Sequence, residues 1–372
     1  MKVLGPKELI EDVVAKGLCV GCGACVNLCP YFVNYRGKTS MTFPCTRDSG
    51  RCHAHCPKTE VDWHVLSEIV FGEPYRGSPI GEYRRVTAAK AGAKMAGGSF
   101  QGGGAVSALL AAALASGAAE AALVTRSDGA FGEPAVVSDL AGIVEGAGSK
   151  YAASPVVAEL NRAAGKGARR LAVVATPCQA AAIVQLRQNP LEKPDFADPV
   201  AVTIGLFCTF AVSGRELEAL VREELGEEPV RRMDIPPPPA KVLVLETDTR
   251  KVEIPLDRVR PLIPKGCSIC PDMTAEWADL SVGMVEGCPG WNTLVIRTQA
   301  GDDLVDWAVK EGYLEIGKVE CESLDHLMEA SNNKKKRALD AAEAECLLGS
   351  PGAEGRAAFR MSASVVERIR SN

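Results

Sequence analysis

The chain has no long hydrophobic run. Its most lipid-like stretch, AVSALLAAALASGAAEAALV at 105–124, is mostly alanine and is broken by Ser, Gly and Glu120, whereas a membrane span needs about 20 strongly apolar residues. The reading is therefore no transmembrane segment, but a buried helix followed by a strand. Positive charge is not in excess either: the formal net charge is −5, which argues against a nucleic-acid-binding protein. The one basic run, Lys334 to Arg337, reads as the solvated face of a C-terminal helix. No secretory leader is visible, since MKVLGPKELIEDVV carries acidic residues and no continuous apolar stretch. A cytoplasmic location is expected. Internal repeats are absent, and so is a GxGxxG fingerprint with an acidic residue at the proper distance.

Cysteine is missing from 57 to 177, and that gap organises the rest. Seven of the fourteen cysteines fall between 19 and 56. In a reducing cytoplasm, clustered thiols mean metal or redox chemistry rather than structural disulfides. Residues 1–80 are thus expected to form a small cluster-binding domain, with the Gly- and Pro-rich FGEPYRGSPIGEY (71–83) as linker. A second domain would span 81–322, leaving 323–372 as a C-terminal helix and polar tail.

Within 81–322 the pattern alternates. A helix is predicted over 104–116, a strand at AALVTRS, a strand at ARRLAVVATP and a helix over 178–188. PVAVTIGLFC reads as a further strand and GRELEALVREEL as its helix; NTLVIRT and a helix at 302–311 follow. Such alternation predicts an α/β fold with a mostly parallel sheet. KVLVLETD and KVEIPLD read as a β-hairpin inserted into it.

Cys19, Cys22, Cys25 and Cys29 follow C-x2-C-x2-C-x3-C-P, the spacing of bacterial ferredoxins, in which the fourth cysteine serves the other cluster. Zinc would favour two separated knuckles. A ferredoxin-like head is therefore expected, with Cys19, Cys22, Cys25 and Cys56 holding a [4Fe–4S] cluster. By the same crossing Cys29, Cys45 and Cys52 hold a second one that lacks a fourth thiolate. Either Asp48 completes a [4Fe–4S] cluster, or the cluster is [3Fe–4S], or Asp48 is a solvated turn residue. His53 and His55 read as surface or outer histidines. Further on, Cys178 and Cys208 each follow a predicted strand, where open α/β sheets gather ligands, and Cys267 and Cys270 form a C-x2-C pair. These four close around one cluster if that loop folds over the sheet edge. The alternative is two core cysteines beside an isolated zinc or redox pair. Cys288, Cys321 and Cys346 carry no assignment, Cys288 being a reserve ligand.

The series QGGGAVSALLAAALASG (101–117), GSKYAASP (148–155), ATPCQAAAI (175–183), GLFC (205–208), CSICPDMTAEWADLSVGMV (267–285) and GWNTLVIRTQAG (290–301) resembles the β subunits of coenzyme F420-reducing hydrogenase and F420-dependent formate dehydrogenase. The resemblance covers about 83–315, and the head resembles an N-terminal extension found in many members. It implies an iron–sulfur flavoprotein with one FAD and a [4Fe–4S] cluster on Cys178, Cys208, Cys267 and Cys270.

The segment GGSFQGGGAVSALL is a glycine-rich loop entering a helix, an arrangement that offers N–H groups to a phosphate. Gly102, Gly103, Gly104 and Ser107 are the expected flavin contacts. Lys150 and Tyr151 would neutralise a phosphate and stack on a ring, Lys265 would place charge near the flavin, and Asp279 and Ser281 would line the pocket. No catalytic acid or base is expected, because the chemistry is flavin-centred. The expected function is electron exchange between a hydride carrier, F420 ahead of NAD(P)H, and the clusters through FAD. No site for splitting hydrogen or oxidising formate is recognisable, so the chain is expected to be one subunit beside hydrogenase, formate dehydrogenase or heterodisulfide-reductase-like partners. The rivals are a same-fold oxidoreductase with NAD(P)H or another organic substrate, a relay without a hydride site, and a zinc-binding interaction module.

Overall fold

The runs LAVVA and VAVTIGL are apolar with almost no polar alternate, which suits strands covered on both faces. In the computed structural model, which describes residues 3–96, 98, 100–128, 131–237 and 239–372, they lie in the middle of an eight-stranded sheet. Its strands are β1 (Arg85–Ala91), β2 (Ala121–Asp128), β3 (Phe131–Val137), β4 (Leu171–Ala175), β5 (Val200–Leu206), β6 (Leu280–Met284), β7 (Asn292–Ile296) and β8 (Leu314–Gly317). The order is β8-β1-β7-β6-β5-β4-β2-β3. The four strands β6, β5, β4 and β2 run parallel. Both flanks are antiparallel: the consecutive pairs β6–β7 and β2–β3 turn straight back without a crossover helix, and β1 runs against both β7 and β8, which are joined through helix Gln299–Lys310. The sheet is therefore mixed, with its expected parallel character confined to the centre.

Side chains alternate between the faces of β4 and sort into two cores. Leu171, Val173 and Ala175 join the core built with helices Val156–Gly165 and Pro177–Arg187. Ala172 joins the opposite core, built with helices Ala105–Ala115 and Gln299–Lys310. The alanine-rich helix is buried on nearly every side, as a helix apolar all round must be. Pro177 stands in the first turn of its helix, and Thr176 N donates to Gln179 Oε1 at 2.8 Å, closing one end of the start signal. The inserted hairpin, Val242–Glu246 with Lys251–Pro255, gains Arg232–Asp234 as a third antiparallel strand and packs on helix Gly214–Leu225.

The head is a short hairpin, Phe32–Tyr35 with Lys38–Met41, a helical turn Arg51–Ala54 and a helix Trp63–Phe71. Asp62 Oδ1 accepts from His64 N at 3.0 Å to start that helix. The two-residue strand Val61–Asp62 pairs in parallel with Phe359–Arg360, which pairs in turn with Leu348–Gly349. The C-terminal stretch expected to be a polar tail is thus a sheet partner of the head. The expected linker has no regular secondary structure from 72 to 84, yet Tyr75 and Ile80 within it are buried.

The basic run departs furthest from expectation. Lys334 and Lys335, on helix Cys321–Ala344, are 5% and 0% exposed. Lys335 Nζ pairs with Glu276 and donates to Tyr75 Oη at 2.9 Å, while Tyr75 also donates to Glu276 at 3.0 Å. Lys334 Nζ donates to the carbonyls of Cys208 (2.6 Å) and Asp272 (2.7 Å). Their partners lie about 60 to 260 residues away, separations at which local charge patterning is uninformative. Among the described residues no helix is long and apolar enough to cross a membrane.

Candidate functional site: three sets of thiols

A C-x2-C-x2-C loop has too few apolar residues to fold on its own, so other elements must hold it. Helix Val156–Gly165 does most of this. Val157 N donates to Cys22 O at 3.1 Å, and Asn161 Nδ2 donates to the carbonyls of Ala24 (3.2 Å) and Val26 (2.8 Å). Asn27 Nδ2 reaches back to Ala158 O at 2.9 Å. From the neighbouring helix, Gln185 Nε2 donates to the carbonyls of Ala54 (3.0 Å) and Cys56 (2.9 Å). The approach is close: a Cβ on Gly23, whose φ is +83°, would stand 2.7 Å from Ala158 N. On the other side Gly266 lets the Cys267 loop rest on the head, where any Cβ would overlap the carbonyl of Leu18.

Three groups of cysteines result. Cys19, Cys22, Cys25 and Cys56 line one cavity whose remaining walls are largely Leu9, Val13, Val14 and Val20. Burial, with neighbouring thiols adding to it, raises three of these thiols: Cys25 is pushed up to about 12, and Cys22 and Cys56 are raised strongly. Cys52 lies beside Cys29 and Cys45 and is pushed up to about 11, again mainly by burial. Cys178, Cys208, Cys267 and Cys270 act on one another; burial pushes Cys178 up to about 11 and raises Cys208.

The first and third sets touch. Val20, Cys22, Ala24, Val157 and Ala182 make a small apolar cluster, against which Cys178 and Cys267 pack. Among the described residues no three His, Cys, Asp or Glu side chains meet closely enough to hold a single metal ion. The thiols instead surround apolar-walled space, and the donor set fits iron–sulfur cores: soft sulfur ligands, four in each of two sets, with few competing oxygens. Thiols raised by burial keep their protons until metal enters and displaces them. Thr39 Oγ1, 3.7 Å from Cys25 Sγ, supplies an outer contact of the kind that tunes such centres.

Several expected ligands and contacts stand elsewhere. Asp48 is exposed, and the neighbouring thiols that raise Cys52 are Cys29 and Cys45. His53 and His55 are buried, not at the surface. Burial lowers both, His55 to about 4, and the Nδ1 atoms of both have no partner among the described residues. Cys288, Cys321 and Cys346 are exposed.

Of the expected flavin contacts, the loop of Gly102, Gly103 and Gly104 is tied through Gln101 to the segment that carries Lys150 and Tyr151, while Ser107 is buried in the helix that follows. Gln101 Nε2 donates to Asp234 Oδ1 (2.8 Å) and Met233 O (3.2 Å), and its Oε1 accepts from Ser149 N at 2.8 Å. Tyr151 Oη accepts from Ile235 N at 2.8 Å in the same neighbourhood. Gly104, at φ +73°, starts the alanine-rich helix, and Ala105 N donates to Asn292 Oδ1 at 3.2 Å. Lys150 Nζ donates to the carbonyls of Gly146, Ala147 and Gly148 at 2.7–3.1 Å, and burial lowers its pKa to about 8. Asp279 and Ser281 are engaged inside the fold. Asp279 accepts from Thr203 N and Thr298 Oγ1, and Ser281 bonds Ala275 O and Arg297 Nε. Lys265 pairs with Glu345 at 2.8 Å beside the Cys267 loop.

The residues that sequence reasoning missed are Gln101, Asn161, Gln185, Lys58 and Lys334. None belongs to a ligand motif. Lys58 follows Cys56-Pro57 directly, but nothing in that spacing separates it from a solvated lysine.

Two family descriptions match, the N-terminal and the C-terminal parts of the coenzyme F420 hydrogenase/dehydrogenase beta subunit. The first covers residues 86–161 and the second residues 168–322. The chain is 32% identical to the coenzyme F420 hydrogenase subunit beta of Methanothermobacter thermautotrophicus, over 70% of this chain and 94% of that protein. It is 29% identical to the coenzyme F420-dependent sulfite reductase of Methanocaldococcus jannaschii, over 82% of this chain and 48% of that protein. A chain of the F420-reducing [NiFe] hydrogenase complex from Methanosarcina barkeri superposes with a TM-score of 0.66 at 26% identity, covering 72% of this chain and 93% of that one.

Proposed function

The chain belongs to the coenzyme F420 hydrogenase/dehydrogenase beta-subunit family, and from that premise we propose that it is an iron–sulfur flavoprotein subunit exchanging electrons between reduced or oxidised F420 and a partner oxidoreductase. The single observation that carries this reading is the contact between two four-thiol sets through Cys22, Cys178 and Cys267. Bound there, [4Fe–4S] clusters would supply one-electron transfer, and FAD near the Gln101 neighbourhood would supply the two-to-one-electron exchange.

This chain's own residues do the positioning. Asn161 and Gln185 hold the ferredoxin-like head against the body, so that the spacing between its thiols and those of the body is fixed. The apolar walls, Leu9, Val13 and Val20 among them, exclude water from the sulfur atoms. Gln101 ties the glycine loop, the Ser149–Tyr151 segment and the inserted sheet into one surface. Cys29, Cys45 and Cys52 form the remaining set, the proposed contact with hydrogenase, formate dehydrogenase or heterodisulfide-reductase-like subunits. With three thiolates and Asp48 in solvent, that set suits a [3Fe–4S] cluster or a [4Fe–4S] cluster with one corner open.

The test is anaerobic purification, followed by iron, acid-labile sulfide and flavin analysis and by turnover with F420 and NAD(P)H in parallel. FAD, at least two clusters and F420-linked turnover are expected; iron-free protein, or turnover with NAD(P)H alone, refutes the reading. One set of contacts favours a second reading, a relay without a hydride site: Lys150, Asp279 and Ser281 have their polar atoms committed within the fold. Clusters without extractable flavin would select it.

A further inference from the structure

Burying an ammonium without a partner is among the costliest things a fold can do. Lys58 is 5% exposed as a residue; among the described residues no carboxylate, carbonyl or hydroxyl takes a hydrogen bond from its Nζ, which is not one of the fully sealed polar atoms. Its side chain lines two cavities at once. One is walled by Cys19, Cys22, Cys25 and Cys56; the other is walled by Cys178 and Cys270. Lys334 approaches the second set from the opposite direction, Nζ held by the carbonyls of Cys208 and Asp272. Lys334 is thus hydrogen-bonded by protein atoms, whereas Lys58 shares its two cavities with the thiols and, in the second, with Asp272, whose Oδ1 has no partner among the described residues.

We propose that Lys58 is the shared counter-charge of the two four-cysteine clusters, lying between them and setting their reduction potentials together. The inference rests on the cluster reading above. Four thiolates outweigh the positive charge of a cubane core, so each assembled cluster is net negative and becomes more so when it takes up one electron; no bond forms or breaks. Net charge and the local field are among the levers that set such potentials. A fixed cation in a low-dielectric gap stabilises the reduced form of each cluster and offsets the repulsion between two anionic neighbours. The Cys29/Cys45/Cys52 set lines neither cavity and lies outside the effect.

The test is a potentiometric titration followed by EPR on the anaerobically purified full chain, comparing wild type with Lys58→Met and Lys58→Arg. Because Lys58 donates to no described protein atom, the Met variant orphans no carbonyl. Iron and acid-labile sulfide are counted first in every sample. The expected result is that Lys58→Met moves two midpoints to more negative potential and leaves the third cluster signal in place, while Lys58→Arg stays near wild type. Loss of iron from Lys58→Met with retention in Lys58→Arg supports the same requirement for charge. Unchanged midpoints in a fully loaded Lys58→Met, or equal iron loss in both variants, overturns the proposal. Wild-type protein devoid of iron and sulfide refutes the cluster reading itself, and the inference falls with it.

Discussion

Asn161→Asp tests whether a buried amide holds the cysteine loop on the body. The substitution changes almost no volume but replaces the NH2 group that donates to Ala24 O and Val26 O with a carboxyl oxygen. Asn161 is 7% exposed, so an ionised carboxylate facing two carbonyls is not tolerated there and the group takes a proton. Protonating a carboxyl of ordinary pKa near 3.9 at neutral pH costs about 4 kcal/mol, at about 1.4 kcal/mol per unit. The protonated acid donates once, so one buried carbonyl stays unpaired, at about 1–3 kcal/mol. The sum is about 6 kcal/mol at neutral pH. The sign with pH follows from linkage: the folded variant binds a proton that the unfolded chain has released, so its stability relative to wild type falls as pH rises. Lowering the pH by about 1.5 units should therefore recover about 2 kcal/mol. Urea unfolding followed by circular dichroism, on wild type and variant at both pH values, measures this. A cost below about 1 kcal/mol, or one that does not change with pH, would show that these two hydrogen bonds do not hold the head.

Three further predictions concern other parts of the assembly. Gly23→Ala forces a Cβ against Ala158 at a positive φ and should lower stability by about 1–3 kcal/mol, together with iron content per chain, read by thermal melting and metal analysis. Lys335→Met leaves Glu276 without its cation in a site where the pair is 0% and 1% exposed; a loss of about 3–5 kcal/mol is expected, largely restored in the double variant Glu276→Leu/Lys335→Met, and a non-additive double-mutant cycle checks it. Asp48→Ala should leave iron content and EPR signals as in wild type, since the residue is exposed, whereas Cys52→Ser should remove one signal; equal losses would restore Asp48 as a ligand.

Cysteine spacing and local periodicity were legible from the residues alone. The C-x2-C-x2-C spacing demands a tight loop of converging thiols whatever surrounds it. Cys178 and Cys208 could be placed at strand ends because LAVVA and VAVTIGL are apolar runs of strand length, and both lie just past those strands. Even the hairpin at 242–255 followed from two β-branched segments flanking turn residues.

Only the tertiary structure decided what the charges and amides do. Lys334 and Lys335 look like a solvated helix face because the groups that neutralise them, Glu276, Tyr75 and the carbonyls of Cys208 and Asp272, are remote in sequence. Asp48 sits where a regular ferredoxin places a cysteine, yet the chain carries it into solvent. Asp279 and Ser281 look like pocket residues until Thr298 and Arg297 arrive from the next strand's end. Spacing along the chain governs geometry only over a turn or a loop. Beyond that range burial and electrostatics depend on which segments the fold brings together, and Lys58, between two sets of cysteines drawn from opposite halves of the molecule, has meaning only after they meet.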